Sequence, residues 1–170
     1  MFTLVIGGSA SGKSEYAERH VLSLPGRRIY VATMEPFGEE AMTRIAWHQL
    51  LRRDRGFETL ECCHALEQAA VPAGSNILLE DLGNLTANEL YRPDGGGREA
   101  VFRGIDSLLR QCAHLTVVTN DVCSGGQDYL GDTLRYLREL ARINRTLAKQ
   151  ADRVVEVICG LPNVLKGDSV

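Results

Sequence analysis

The sequence predicts an α/β fold built on a mostly parallel, doubly wound sheet flanked by helices. Five short apolar segments, rich in β-branched residues, are predicted as buried strands: residues 3–6, 29–33, 77–79, 115–119 and 154–158. Four intervening segments carry apolar residues at three- and four-residue spacing and are predicted as covering helices: residues 13–24, 39–53, 99–111 and 133–150. Alternating strands and helices indicate this fold class because parallel neighbouring strands need a crossover connection.

Composition narrows the class of protein. The chain has 170 residues, of which 44% are hydrophobic and 24% charged, and we expect one domain spanning residues 1–170. The net charge of −3 disfavours a nucleic-acid or anionic-membrane partner. No apolar run approaches the roughly 20 residues of a membrane span, and residues 1–6 show no basic start or cleavage site. We therefore expect a cytoplasmic protein with no integral membrane segment.

Two further features concern cysteines and a loop. The five cysteines are an odd number without CxxC spacing, which favours reduced thiols over disulfides or a zinc site: Cys62, Cys63, Cys112, Cys123 and Cys159. Residues 92–97 contain a proline and three glycines in a row, and we predict a disordered loop or a lid there.

A glycine-rich loop follows the first predicted strand and leads into the first predicted helix. It consists of Gly7, Gly8, Ser9, Ala10, Ser11, Gly12, Lys13 and Ser14, and all eight are predicted nucleotide contacts. Glycines let backbone N–H groups approach a phosphate chain, and the helix N-terminus adds its positive dipole end. Lys13 is expected to reach the β- and γ-phosphates as a catalytic cation, and Ser14 to bind Mg²⁺. A plain glycine turn is the alternative, but a chance match at four fixed positions is expected on the order of one per cent of the time. The sequence therefore predicts a P-loop enzyme.

The strand at residues 77–79 ends in two acids, Glu80 and Asp81. A P-loop magnesium site needs a carboxylate at the end of another buried strand, so one acid could serve the metal while the other caps the next helix. Two solvated turn acids are the alternative. Asn120 and Asp121 follow another strand, but the lysine of the guanine-reading motif found in switch GTPases is absent.

The predicted helix at residues 39–53 places Arg44, His48 and Arg52 four residues apart on one face. Flanking positive charge disfavours the imidazolium form, which would leave His48 neutral and nucleophilic. The same arginines would stabilise charge on an attacked phosphoryl group. The alternative is a solvated helix face without a catalytic role.

Together these motifs resemble the bifunctional adenosylcobinamide kinase/adenosylcobinamide-phosphate guanylyltransferases of cobalamin biosynthesis. The resemblance covers nearly the whole chain, with these landmarks: the glycine loop and residues 30–33, 40–48, 59–61, 79–80, 118–122, 135–152, 160–162 and 165–166. It implies a P-loop NTPase fold of the RecA-like type, Mg²⁺ held by Ser14 and Glu80, GTP and ATP as substrates, a small-molecule corrinoid acceptor and a homotrimer. It implies nucleotide contacts at Ala32, Thr33, Met34, Gln49, Leu50, Leu51, Arg52, Glu61 and Glu80.

In that family the histidine that matches His48 carries GMP covalently, which makes His48 the second expected catalytic residue beside Lys13. The implied chemistry is phosphorylation of adenosylcobinamide, followed by transfer of GMP from GTP to give adenosylcobinamide-GDP. Residues 121–128 depart from the family pattern, and Ala10 stands where an arginine is common, so we expect a divergent member. Two alternatives stay open: another small-molecule P-loop kinase, or a nucleotide-gated binding protein without a covalent nucleotide step.

Overall fold

The computed structural model describes residues 1–35, 55–122 and 128–168. The strands are β1 (Phe2–Gly7), β2 (Arg28–Ala32), β3 (Glu58–Glu61), β4 (Asn76–Glu80), β5 (His114–Asn120), β6 (Arg153–Ile158) and β7 (Leu161–Lys166). The helices are α1 (Lys13–Leu22), α2 (Leu82–Tyr91), α3 (Gly97–Gln111) and α4 (Gly131–Gln150), with a 3₁₀ turn at Leu66–Gln68. The predicted helix at residues 39–53 lies outside the described residues.

The described strands form one sheet in the order β3-β2-β4-β5-β1-β6-β7. Every pairing is parallel except that of β7 with β6, which is antiparallel. The carboxyl ends of β1, β2 and β4 therefore meet at one edge, and β5 lies between β1 and β4. This arrangement confirms the predicted mostly parallel sheet, and it places the glycine loop and the Glu80 strand end on the same side of the molecule.

Two apolar layers cover the sheet, one on each face. On one face the strands pack against α2, α3 and α4 through Leu4, Val31, Leu79, Val117, Ile105, Leu108, Leu140 and Ile143. On the other face they pack against α1 through Val5, Tyr30, Leu78, Val118, Val155, Ala17 and Val21. Consecutive strand residues such as Leu4 and Val5 point to opposite faces. Burial on both faces explains the continuous apolar runs that predict these strands.

Residues 92–97 do not form the disordered loop or lid that the glycines predict. They make a short turn between α2 and α3 that is held by the buried carboxylate of Glu89. Glu89 accepts hydrogen bonds from the backbone N–H groups of Gly96 at 2.8 Å and Ala65 at 2.7 Å. Close packing against Glu89 accounts for Gly95, because an added Cβ would lie 2.4 Å from the Glu89 carbonyl oxygen.

Within the described residues, no helix combines the length and apolarity needed to cross a membrane.

Candidate active site

The glycine loop connects β1 directly to the first turn of α1. Ala10 and Gly12 adopt positive φ angles of 56° and 89°, which bend the backbone around the loop. Gly12 is the N-cap of α1, and no side-chain hydrogen bond caps this helix end within the described part of the chain. The first N–H groups of α1 are therefore available to an anion at the position where the helix dipole favours one.

The glycines of the loop serve different purposes. A Cβ at Gly7 would lie 2.5 Å from Ser11 Oγ and 2.6 Å from the Val157 carbonyl oxygen, so packing excludes any side chain there. A Cβ at Gly12 would lie 3.0 Å from Gly160 Cα, in the turn between β6 and β7. That turn supports the loop through a 2.8 Å hydrogen bond from the Gly160 N–H to the Ser11 carbonyl.

Lys13 lies folded over the loop that it follows. Its side chain is buried, and Nζ donates a 3.0 Å hydrogen bond to the carbonyl oxygen of Gly8. The ammonium is therefore held at the concave side of the loop, where the phosphates of a nucleotide would lie. A phosphate oxygen can replace the Gly8 carbonyl as its acceptor with little movement of the chain.

Ser14 and Glu80 connect the first turn of α1 to the end of β4. Ser14 Oγ donates a 2.6 Å hydrogen bond to Glu80 Oε1. Glu80 Oε2 is buried, and it has no hydrogen-bond partner within the described residues. Burial raises the pKa of Glu80 to about 7, and the carboxylates of Asp81 and Glu18 add to this rise against the opposing effects of Ser14 and Lys13.

This pair suits a magnesium ion. Mg²⁺ prefers oxygen ligands, usually one or two from protein together with phosphate and water. The unpartnered Glu80 Oε2 and the Ser14 hydroxyl are ligands of this kind. No cluster of three or more His, Cys, Asp or Glu side chains suited to a metal occurs in the described parts of the chain, so a metal here would depend on phosphate and water for its other ligands.

Asp81 takes a different role from that of Glu80. It adopts a left-handed conformation with φ 71°, and its Oδ1 accepts a 3.1 Å hydrogen bond from the Asn84 N–H, capping α2. Thr33 Oγ1 donates to the carbonyl oxygens of Glu80 at 2.9 Å and Asp81 at 2.8 Å. The ends of β2 and β4 are thereby joined, and Glu80 is the acid oriented towards Ser14.

A cleft of 430 Å³ opens beside these residues. It brings together five of the predicted site residues: Ser14, Ala32, Thr33, Met34 and Glu80. Asp81, the alternative acid of the sequence analysis, also lines it, and sequence reasoning misses four others: Glu18, Tyr30, Arg55 and Asn84. Glu18 and Arg55 form an ion pair at the cleft. Glu18 could have been found, because it follows Ser14 by four residues and therefore shares its face of α1.

The remaining predicted residues lie elsewhere. Glu61 ends β3, next to β2, and its exposed side chain does not line the cleft. Ser9 and Ala10 lie exposed on the outside of the glycine loop. His48 and the predicted contacts Gln49, Leu50, Leu51 and Arg52 lie outside the described residues.

Comparison with known proteins identifies the family. The family model described as cobinamide kinase / cobinamide phosphate guanyltransferase, CobU, matches residues 3–165. The chain belongs to this family. The CobU family consists of bifunctional enzymes. The kinase activity, the first of the two, accords with the glycine loop described above.

Curated relatives in the CobU family match nearly the whole chain. The bifunctional adenosylcobalamin biosynthesis protein CobU of Salmonella typhimurium is 32% identical, covering 95% of this chain and 97% of the relative. The corresponding protein CobP of Pseudomonas aeruginosa is 30% identical and covers 99% of each. Among solved structures, the RadB recombinase superimposes with a TM-score of 0.49 and 16% identity over 91% of this chain and 73% of that one.

The contrast between Gly7 and Gly8 gives a first prediction. Gly7→Ala should lower the free energy of unfolding by about 1–3 kcal/mol, because the new Cβ overlaps Ser11 and Val157. Gly8→Ala should change it by less than about 0.5 kcal/mol, since no atom lies within 4 Å of the added Cβ. Urea unfolding of the nucleotide-free proteins measures both. Equal destabilisation by the two substitutions would contradict the packing described here.

A second prediction concerns the buried acid. Glu80 has a pKa of about 7 in the folded protein against 4.5 ordinarily. Because the pKa of Glu80 is higher in the folded protein than in the unfolded chain, protonation of Glu80 stabilises the folded state. This stabilisation is complete below the unfolded pKa and is lost as the pH rises through about 7. With Glu80 ionised, the free energy of unfolding is about 3 kcal/mol lower than with Glu80 protonated. In metal-free buffer, Glu80→Gln should therefore be more stable than the parent at about pH 8, with the difference shrinking towards about pH 5.

Urea unfolding at both pH values tests this expectation. Asp106→Asn, which removes an exposed acid on α3, is the matched control and should show no such trend. A Glu80→Gln effect that is the same at both pH values would rule out a raised pKa as its cause.

Proposed function

We propose that this chain phosphorylates adenosylcobinamide with a nucleoside triphosphate and then transfers GMP from GTP to the product, through a histidine–GMP intermediate on His48. The observation that carries the phosphate-transfer part is the buried Ser14–Glu80 pair beside an uncapped helix N-terminus and the Lys13 ammonium. Membership of the CobU family supports the pairing of the two activities and the corrinoid acceptor.

In the nucleotide complex, the loop from Gly7 to Ser14 wraps the phosphates with its backbone N–H groups. Lys13 exchanges its bond to Gly8 for phosphate oxygens, and the first turn of α1 adds its dipole. Ser14 and Glu80 hold Mg²⁺, which supplies neutralisation of the phosphate charge. Holding the reactants in place and balancing their charge accounts for most of the catalysis expected in phosphoryl transfer.

In the kinase step, a hydroxyl oxygen of adenosylcobinamide bonds to the γ-phosphorus while the bond from that phosphorus to the β–γ bridging oxygen breaks. Either ATP or GTP serves as the donor in this proposal. Lys13 stabilises the negative charge that builds on the transferred group and on the leaving diphosphate.

In the guanylyl step, a ring nitrogen of His48 attacks the α-phosphorus of GTP and pyrophosphate leaves. A phosphate oxygen of the phosphorylated corrinoid then displaces His48 and takes GMP. Two displacements with a neutral nucleophile in between replace one difficult reaction between two anions. Support for His48 comes from the family resemblance and from its spacing to Arg44 and Arg52.

The nucleotide contacts proposed beyond the loop fall into two groups. Ala32, Thr33 and Met34 are proposed as nucleotide contacts, and their position in the lining of the cleft beside Glu80 supports this. Gln49, Leu50, Leu51, Arg52 and Glu61 are proposed on the family resemblance, as is assembly into a homotrimer.

Covalent labelling tests the histidine step. With Mg²⁺ and GTP labelled at the α-phosphorus, the parent should form an adduct that is labile in acid and stable in base, because phosphoramidates have that stability. GTP labelled at the γ-phosphorus should leave no label. His48→Ala should lose the adduct, and His64→Ala, which removes another histidine, should keep it. Equal labelling of both variants would end the His48 assignment, whereas γ-phosphate transfer without any adduct would identify a kinase alone.

The role of Lys13 is tested by nucleotide affinity. Lys13→Ala should weaken Mg-GTP and Mg-ATP binding roughly 10- to 100-fold, since a hydrogen bond to a charged group contributes about 1.5–3 kcal/mol. Lys149→Ala, an exposed lysine in the last turn of α4, is the control and should bind as the parent does. Isothermal titration calorimetry gives both values. Unchanged binding by Lys13→Ala would remove the loop from the nucleotide site.

A further inference from the structure

A second pocket lies on the α1 face of the sheet, beside β6 and β7. It has a volume of 370 Å³ and is lined by Tyr16, Arg19, His20, Arg153 and Pro162. It shares no lining residue with the cleft beside Glu80. Among the residues that the structure describes, three of the five lining side chains are basic and none is acidic. We name it the α1–β6 pocket.

Arg153 is the unusual member of this set. It is the first residue of β6, and only 7% of it is exposed. Its Nε is buried and has no hydrogen-bond partner among residues 1–35, 55–122 and 128–168. A buried cation without an anion is costly, so native proteins normally pair one.

Acids close to Arg153 and α1 in sequence are committed elsewhere. Asp152 Oδ2 accepts a 2.6 Å hydrogen bond from the Phe2 N–H, which fastens the chain ahead of β6 to β1. Glu18 pairs with Arg55 at the other cleft. The missing anion is therefore not supplied by these neighbours.

Two other basic side chains are in position to share an anion with Arg153. Arg19 is 3.8 Å from Glu15, but these side chains are 63% and 73% exposed, so this contact is weak and easily exchanged. His20 is held by stacking on Tyr16, with ring centroids 6.5 Å apart and an interplanar angle of 5°. Burial, followed by the charges of Arg153 and His114, lowers the pKa of His20.

We propose that the α1–β6 pocket binds the phosphate group of a small ligand, with Arg153 and Arg19 as its cationic partners and His20 as a hydrogen-bond donor. Two guanidinium charges balance a phosphate dianion, and their planar forks match its oxygens. The volume accommodates more than one phosphate group, so pyrophosphate and small phosphomonoesters fit the same chemistry. His20 follows Lys13 by seven residues, which separates their Cα atoms by about 10 Å along α1, so this site is distinct from the glycine loop.

Because the glycine loop also binds phosphate in our proposal, the test separates the two sites by variant. Inorganic phosphate and pyrophosphate are titrated calorimetrically, at constant ionic strength, into the parent, Lys13→Ala, Arg153→Met and the double variant. Lys13→Ala should retain a phosphate-binding event, and adding Arg153→Met should weaken it at least tenfold. Arg110→Met, an exposed arginine in the last turn of α3, is the control and should leave that event unchanged.

Two further probes in the Lys13→Ala protein define the ligand. AMP binding more tightly than inorganic phosphate supports a nucleotide or other phosphomonoester as the source, whereas equal binding supports free phosphate. Succinate binding as tightly as phosphate would overturn the assignment to a phosphate group. Absence of any phosphate-binding event in Lys13→Ala would overturn the proposed site. Loss of Mg-GTP binding in that variant tests the glycine loop and has no bearing on the α1–β6 pocket.

Thermal unfolding supplies a measurement that does not require the variant to bind. In buffer without multivalent anions, Arg153→Met should unfold at a higher temperature than the parent, because methionine replaces an uncompensated buried charge with apolar volume. Phosphate should raise the midpoint of Lys13→Ala and not that of the double variant. A sedimentation change in Arg153→Met with unaltered phosphate affinity would instead assign Arg153 to a contact between copies of the chain and overturn the proposal.

Discussion

The hydrogen bond from Ser14 to Glu80 is the contact around which the site is organised. It joins the first turn of α1, the helix that follows β1, to the end of β4, although β5 lies between β1 and β4 in the sheet. The parallel sheet makes this possible because it brings the carboxyl ends of its strands to one edge. The glycine loop, Lys13 and the cleft all lie around this junction, so its geometry determines where phosphates and a metal can be held.

Without bound ligands, this junction lowers the stability of the folded protein. Glu80 is buried, beside other carboxylates, with one oxygen unpartnered. Such a group lowers stability unless a cation or donor reaches it, and an arrangement of this kind is typical of a functional site. Bound magnesium and nucleotide phosphates would supply the missing partners, so ligand binding and stability are coupled at one residue.

Arg153 is comparable to Glu80, because both are buried ionisable side chains, but Arg153 carries a positive charge. It is buried at the start of β6, at the pocket that contains Arg19 and His20, and its Nε has no hydrogen-bond partner among the described residues. Since both pockets adjoin α1, the helix that carries Lys13 and Ser14 also carries Tyr16, Arg19 and His20 of the α1–β6 pocket. A ligand at either place contacts the same rigid element.

Much of the fold follows from the sequence, but the strands β3 and β7 and the helix α2 are not predicted from it. The central strands are recognisable because burial on both faces demands unbroken apolar runs. β3 lies at an edge of the sheet, is half exposed and carries no such run. In α2 the polar Thr86 and Glu89 are buried, because Thr86 donates to the Leu82 carbonyl and Glu89 accepts from Ala65 and Gly96. Polar side chains that are buried because other parts of the fold supply their hydrogen bonds interrupt the apolar periodicity by which a helix is predicted.

The sequence by itself determined the glycine loop, because that loop binds phosphate through its own backbone and needs only a strand before it and a helix after it. It also limited the candidate metal ligand at the end of β4 to Glu80 or Asp81. Only the tertiary structure distinguished the two, by turning Asp81 to cap α2 and Glu80 towards Ser14. The Glu18–Arg55 pair at the cleft and the unpaired Arg153 likewise emerged only from folding, because burial and pairing depend on residues far apart in the chain.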